Sequence, residues 1–213
     1  MEKPADNQGI VYHKPSAERW TLSGVSHRGS IGTYEVIGEM TPAMTQDKLF
    51  EKHGLEIPSM DLVWAIATRG YELRNESQDS ETLRQFLRQG FRKYLNTSTR
   101  IVYGPSGKDK VIHNYGTQNH SLDEDVVGPD DWMTNIPDKN VLESLLGTQN
   151  VSQINQVSQW VNGTNAYLWR LNSKPKEKTE RVAGFYAYVG RLVLVCNGGP
   201  HDEFPAFRVL KVE

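Results

Sequence analysis

The sequence predicts one α+β domain, with a mostly antiparallel sheet and helices packed against it. Three observations lead to this prediction. Strand-like segments come first, segments with helical periodicity follow, and further strand-like segments close the chain. Short links join the last strands, which favours antiparallel neighbours. The chain has 213 residues, 37% of them hydrophobic, and this is enough for one core.

The N-terminal segment 1–45 is predicted to be a rather loose arm with short strands. Aromatic and β-branched residues at 20–22 and 34–37 alternate there with glycines and prolines. The main domain is expected over 46–213. It begins with a short helix from Gln46 to Gly54, where the glycine ends the helix.

Four further elements follow in the helical part of the chain. Ser59 is expected to cap a helix whose apolar residues run from 62 to 73. The next helix starts near Ser80, with the following apolar stripe: Leu83, Phe86, Leu87, Phe91, Tyr94 and Leu95. The arginines at 84, 88 and 92 beside it are interpreted as a solvated face, with an anion site as the alternative. A hairpin is predicted from 100–103 and 111–113.

The second half of the chain is predicted to be an acidic loop, two helices and four strands. The loop covers 116–137. The helices run from Asp138 to Gly147 and over 151–161, each with apolar residues at helical spacing. The strands are expected at 166–171, 182–188, 192–195 and 207–212.

Composition argues against several classes of partner. The net charge of −2 lacks the basic excess that offsets phosphate charge, so no nucleic-acid partner is expected. No apolar run approaches the roughly 20 residues of a membrane helix, so no membrane insertion is expected. The polar N-terminus does not look like a secretory signal. Localisation stays open and includes a virion or cell surface reached without a signal peptide.

The sequence offers little catalytic chemistry. Cys196 is the single cysteine and ends an apolar segment, which is typical of a buried structural residue rather than a nucleophile. The six histidines form no local motif, and neither a zinc spacing nor a phosphate loop occurs. The acidic residues in 123–131 are candidates for calcium, but their spacing does not follow a calcium loop, so calcium binding stays open. No enzymatic activity and no cofactor are predicted.

Two segments resemble the formylglycine-generating-enzyme-like branch of the C-type lectin fold. The segment from Glu56 to Gly70 is similar to that branch's "LPT-acidic-WE-AARG" helix at these positions: Pro58, Ser59, Trp64, Ala65, Ala67, Arg69 and Gly70. The segment 206–210 (Ala-Phe-Arg-Val-Leu) resembles its final "GFRVV" strand. The resemblance implies a C-type lectin-like domain. The enzymatic members use cysteines in the site, and this chain has one, which implies a binding member.

A compositional gap beside the final strand extends the resemblance. From Arg181 to Asp202 the chain has no Lys, Glu, Gln, Met or Trp, and codons that end in a pyrimidine encode none of these five types. Diversity-generating retroelements randomise adenines in such codons, near the C-terminus of a C-type lectin fold. Apolar strands also lack charged residues for reasons of burial, so the position of the gap carries the comparison. The chain resembles a variable protein of a diversity-generating retroelement, of archaeal or archaeal-virus type, with a variable region at 184–202.

This resemblance implies recognition without chemistry. The chain would be a receptor-like or adhesin-like protein that binds a protein or cell-surface ligand, and the ligand would vary between clones. The implied ligand-binding residues are Tyr186, Tyr188, Val189, Gly190, Arg191, Val193, Val195, Asn197, Gly199, His201 and Asp202. The residues that alternate with them, Leu192, Leu194 and Cys196, are expected to point into the core. Burial of 193–195 on both faces is the alternative.

Two other functions stay open at this point. One is an enzyme of the formylglycine-generating type or a degenerate relative, which would require an activity that depends on Cys196. The other is a structural virion or assembly protein, in which the C-terminal strands form a contact between copies. The sequence identifies neither the ligand nor the oligomeric state.

Overall fold

A computed structural model describes residues 11–14, 18–117, 121–124, 130–171 and 175–212. Within these ranges the chain forms five α-helices and eleven strands. The helices are α1 (Gln46–His53), α2 (Met60–Glu72), α3 (Asp79–Arg92), α4 (Asn140–Leu146) and α5 (Val151–Asn162), and a 3-10 turn covers Gly54–Glu56. The strands are β1 (Val11–Lys14), β2 (Arg19–His27), β3 (Ser30–Ile37), β4 (Leu95–Tyr103), β5 (Lys110–His113), β6 (Ser121–Glu124), β7 (Asp131–Trp132), β8 (Ala166–Trp169), β9 (Thr179–Tyr188), β10 (Arg191–Gly198) and β11 (Arg208–Val212).

These strands form two sheets. The smaller sheet has the order β1-β2-β3-β11, so the last strand pairs with a strand near the start of the chain, as in the pair Val36 and Val209. The larger sheet has the order β6-β5-β4-β9-β10-β8-β7. All its pairings are antiparallel except that of β8 with β10. The predicted α+β class and the mostly antiparallel sheet are therefore confirmed.

A single large apolar cluster joins both sheets to the helices. Phe185 on β9 stacks on Trp64 of α2 and on Phe91 of α3, with ring centroids 6.1 and 5.0 Å away. Trp20 on β2 lies 5.0 Å from Phe86 of α3 and belongs to the same cluster. The described part of the N-terminal segment is thus integral to the core, and the expectation of a loose arm is wrong for residues 19–37.

The helices lie close to where periodicity predicts them. Glycine ends α1 and α4 as expected, and the apolar residues of α4 and α5 are buried with the exception of the half-buried Val151 and Trp160. The predicted extension of α3 to Leu95 is wrong. The helix ends at Arg92, Tyr94 has a positive φ of 61°, and Leu95 begins β4. An apolar residue at helical spacing fits a following buried strand equally well.

The acidic region 116–137 is less irregular than predicted, because it contains β6 and β7. Residues 125–129, which belong to the candidate calcium segment, lie outside the described residues. No group of three or more potential metal ligands occurs among the residues that the structure describes. No helix in the described ranges is long and apolar enough to cross a membrane.

Candidate functional site

Aromatic side chains collect on the outward face of the larger sheet. Along β9, Phe185 belongs to the core cluster, whereas Tyr186 is half-buried and Tyr188 is exposed. Along β8, Leu168 belongs to the core and Trp169 is 41% exposed. Successive strand residues point to opposite faces, so these aromatic residues share the face away from the core. We call this surface the aromatic face, and it comprises Tyr94, Trp132, Tyr167, Trp169, Tyr186, Tyr188 and Arg191.

Strand pairing places Val193 of β10 at the centre of this face. It lies opposite Tyr186 on antiparallel β9 and opposite Tyr167 on parallel β8. Val193 is 1% exposed and lies outside the core cluster. Its buried side chain therefore lies at the base of the aromatic face, between the Tyr186 and Tyr167 rings.

The rings contact one another in two rows. Tyr186 stacks on Tyr188 at 5.7 Å and lies 5.9 Å from Tyr94. On the other side of Val193, Trp132 meets Tyr167 edge to face at 5.3 Å. These separations lie in the range in which aromatic pairs attract each other beyond simple burial. The face is therefore held in place before any ligand arrives.

Arg191 lies at the end of the second row. Its guanidinium carbon is 4.6 Å from the Tyr167 ring centroid and 5.2 Å from that of Trp132. Rings at this distance attract the cation. Among the described residues Arg191 has no carboxylate partner. Its N–H donors are therefore available to a ligand that carries a carboxylate or another hydrogen-bond acceptor.

The hairpin between β9 and β10 contains an unfavourable residue at its tip. Val189 and Gly190 form the two-residue link, and both have positive φ, at 35° and 71°. This geometry is typical of turns that favour Asn-Gly, and a β-branched residue is a clear outlier there. Val189 is also 79% exposed, so its side chain gains little from burial. The tip is not optimised for stability, and such outliers concentrate at functional sites.

Replacing Val189 by asparagine is expected to raise the free energy of unfolding by roughly 1 kcal/mol, because asparagine tolerates the left-handed region. Val189→Thr keeps the branched shape and serves as the matched control, with no gain expected. Urea unfolding of the three proteins measures the difference. An asparagine variant no more stable than the threonine variant would contradict the assignment of strain to this turn.

The structure divides the residues predicted from the sequence into three groups. The first is at the hairpin, where Tyr186, Tyr188 and Arg191 belong to the aromatic face and Val189 and Gly190 border it. The second consists of Val193 and Val195, whose expected exposure is wrong. They are 1% and 6% exposed, because the neighbouring strands and outward rings cover this stretch of β10 on both sides. The expectation that Leu192, Leu194 and Cys196 are buried is confirmed.

The third group lies at the opposite end of β10 and comprises Asn197, Gly199, His201 and Asp202. Seven residues of extended strand, roughly 23 Å, separate this end from Arg191. The Gly199 amide donates a hydrogen bond to Asp202 Oδ2 at 2.8 Å in the exposed turn that follows. Phe204 then stacks on Tyr94 at 3.9 Å, and Tyr94 in turn adjoins Tyr186. The turn therefore flanks the aromatic face and does not belong to its centre.

Sequence reasoning missed four residues of this face: Tyr94, Trp132, Tyr167 and Trp169. A signal for two of them was present, since the segment 166–169 alternates small or aliphatic with aromatic residues. Trp132 and Tyr94 come from a loop-like segment and from a helix end, and tertiary pairing alone brings them to the sheet.

Cys196 does not offer a nucleophile. Its side chain is fully buried, and burial raises the pKa of the thiol to about 12. A thiolate is the reactive form, and this environment suppresses it.

A second candidate site is a groove between the β2–β3 hairpin, α2 and the end of α4. Two adjoining cavities of about 320 and 250 Å³ form it, and they share Ser26, Ala65, Leu146 and Gly147. The larger cavity is lined by His27, Arg28, Asp61, His113 and Glu143. We call the larger cavity alone the Asp61 groove.

Asp61 is a buried carboxylate with many donors. Arg28 donates from Nε to Oδ2 at 2.6 Å and from Nη2 to Oδ1 at 3.2 Å, and His27 Nε2 lies 2.9 Å from Oδ2. The Ser59 hydroxyl also donates to Asp61. Burial acts to raise the pKa of Asp61, but the hydrogen bond from His27, the adjacent His113 and the hydrogen bonds from Arg28 outweigh it. The pKa therefore lies well below its ordinary value.

Acid should weaken the protein through this carboxylate. In the unfolded chain Asp61 takes up a proton near pH 3.9, whereas in the folded protein it stays ionised. The contribution is complete above about pH 5 and is lost as pH falls toward the folded pKa. Between about pH 4 and pH 2, wild type is expected to lose up to about 1.4 kcal/mol per pH unit more than Asp61→Asn. Parallel pH profiles of urea unfolding for the two proteins would contradict the assignment.

The comparisons with known proteins give no relative for either site. The chain matches no protein-family model, no curated protein and no solved structure.

Proposed function

We propose that the chain is a ligand-binding protein that recognises its partner through the aromatic face. The observation that carries this proposal is Arg191, which has no carboxylate partner among the described residues and lies close to the rings of Tyr167 and Trp132, beside the tyrosines of β9. Tyrosine, tryptophan and arginine are the residues that dominate binding energy at protein interfaces. A protein surface with several rings and one free guanidinium fits a protein partner with an acidic group.

The proposal includes the diversified origin implied by the sequence resemblance. The pairing of β3 with β11, strands from the two ends of the described chain, supports a C-type lectin-like fold. Part of the suggested variable region 184–202 lies on the aromatic face, at the hairpin that carries Val189. Exposed positions on a rigid sheet can change between clones without loss of the core. The ligand in this reading differs from clone to clone.

A pair of displayed libraries tests whether the face can serve this role. The first randomises Tyr186, Tyr188, Val189 and Arg191. The matched control randomises the neighbouring buried positions Leu192, Val193, Leu194 and Val195. The first library is expected to remain largely folded and to yield binders to an arbitrary soluble target, such as a serum albumin. The control library is expected to lose folded members, because substitutions in a close-packed interior are costly. A face library that folds but yields no binders would count against the proposal.

The alternative function of the aromatic face is a contact between copies of this protein. Sedimentation equilibrium of the purified protein is expected to give the monomer mass. A dimer that dissociates on Tyr188→Glu would replace the proposal with the assembly function considered above.

A further inference from the structure

The Asp61 groove holds polar groups beyond those needed to neutralise Asp61. Arg28 alone places two N–H donors on the carboxylate, and Ser59 and the Leu62 amide add two more. His27 contributes a further donor, yet it also lines the cavity. A network that only tied the hairpin to α2 would not require the cavity or the remaining polar atoms that face it.

His27 lines this cavity and contacts Asp61 through one ring nitrogen. Because ionised Asp61 can only accept, His27 Nε2 carries the hydrogen in their 2.9 Å contact. Within the described ranges Nδ1 makes no hydrogen bond. His113 differs, since its Nε2 donates to the Ser144 carbonyl at 2.8 Å and its Nδ1 lies 2.8 Å from Thr99 Oγ1.

Two charged side chains at the same cavity also have polar atoms that make no hydrogen bond or ion pair with a described residue. Arg28 uses Nε and Nη2 on Asp61, and in the described part of the chain its Nη1 makes no hydrogen bond. Glu143 is exposed, and its carboxylate has no ion pair with any described residue. The cavity therefore offers one carboxylate acceptor, Glu143, and one cationic donor, Arg28.

We propose that the Asp61 groove binds a small zwitterion of the free amino-acid type. Its ammonium would donate to Glu143, and its carboxylate would accept from Arg28. The volume of about 320 Å³ is at the small end of ligand pockets, which favours a ligand of this size. Ala65 and Leu146 line the same cavity and would contact an apolar side chain.

Other ligand classes fit this set of groups less well. A metal ion prefers at least three ligands from the chain, and Glu143 is the one carboxylate at this cavity without an ion pair to a described residue. An anion such as phosphate would meet Glu143 and the Asp61 carboxylate as well as Arg28. A simple amine would leave the unused donors of Arg28 unpaired. The combination of an ammonium and a carboxylate satisfies both Glu143 and Arg28.

Ligand titrations of the full chain test this proposal. The probes are a panel of free L-amino acids at up to about 10 mM, with the amide and the N-acetyl derivative of each one that binds. The readout is the NMR signals of the His27 ring nitrogens. At least one free amino acid is expected to shift the Nδ1 signal, and both derivatives are expected to bind about tenfold more weakly or worse. The proposal fails if no amino acid shifts the signal, or if either derivative binds as tightly as the parent.

A matched pair of exposed acidic residues gives the second arm. Glu143→Gln is expected to weaken binding of the amino acid about tenfold, with an unchanged unfolding midpoint because the side chain is exposed. Glu51→Gln, an exposed change outside the groove, is expected to bind like wild type. Equal affinity for all three proteins would overturn the proposal. Both arms are independent of the aromatic face, so their failure leaves the proposed function untouched.

Discussion

Replacing Asp61 by alanine is expected to lower the free energy of unfolding by about 3–5 kcal/mol, the range for removal of one partner from a buried ion pair. The side chain of Asp61 is 5% exposed and neutralises Arg28. Without it, the Arg28 guanidinium and the His27 N–H lose their acceptor in a partly buried setting. The hairpin of β2 and β3 would also lose its main polar contact with α2. Urea unfolding followed by circular dichroism measures the change.

The control for this variant is Glu203→Ala, which removes an exposed ion pair with Lys48. Its expected cost is below about 1 kcal/mol, because both side chains are solvated. An Asp61→Ala protein no less stable than Glu203→Ala would show that the network around Asp61 does not contribute to stability.

Adding one methyl group at Gly184 is expected to cost more than removing the ring of Tyr188. A Cβ at position 184 would lie 2.4 Å from the backbone oxygen of Leu95 on the neighbouring strand. A backbone atom in a paired strand cannot move aside, so Gly184→Ala should cost about 3 kcal/mol. Tyr188 is 48% exposed, so Tyr188→Ala should cost less than about 1 kcal/mol. Thermal and urea unfolding of both variants compare the two costs.

The difference between Gly184 and Tyr188 limits which positions of the segment 184–202 can accept other residues. Gly184 begins the segment 184–202 suggested by composition, yet its contact with Leu95 leaves room for no other residue. Position 188, four residues on, has no such constraint. If Gly184→Ala proved as mild as Tyr188→Ala, burial and close contact would not decide which positions can be diversified.

Local patterns in the sequence predict the helices and most strands well. Apolar residues at helical spacing locate α2, α3, α4 and α5, and glycine marks where α1 and α4 end. The errors have one physical origin. The secondary structure of Leu95 and the burial of Val193 depend on which element packs beside each residue, and the local sequence does not contain that information.

The candidate sites show the same limit. Alternation along β9 predicts Tyr186 and Tyr188, because both lie on one strand. Trp132 joins them only through the pairing of β7 with β8. The Asp61 groove depends on contacts between residues more than 30 positions apart, as between His27 and Asp61. Scattered histidines without a motif gave no hint of it.

Sequencing many copies of the gene from its source population tests the central claim most directly. If the aromatic face is a diversified recognition surface, substitutions should concentrate at exposed and half-buried positions of the segment, above all 186, 188, 189 and 191, and also 197, 201 and 202. Gly184, Val193, Val195 and Phe207 should stay constant. Substitutions spread evenly along the gene, or found at the buried positions as often as at the exposed ones, would contradict the account.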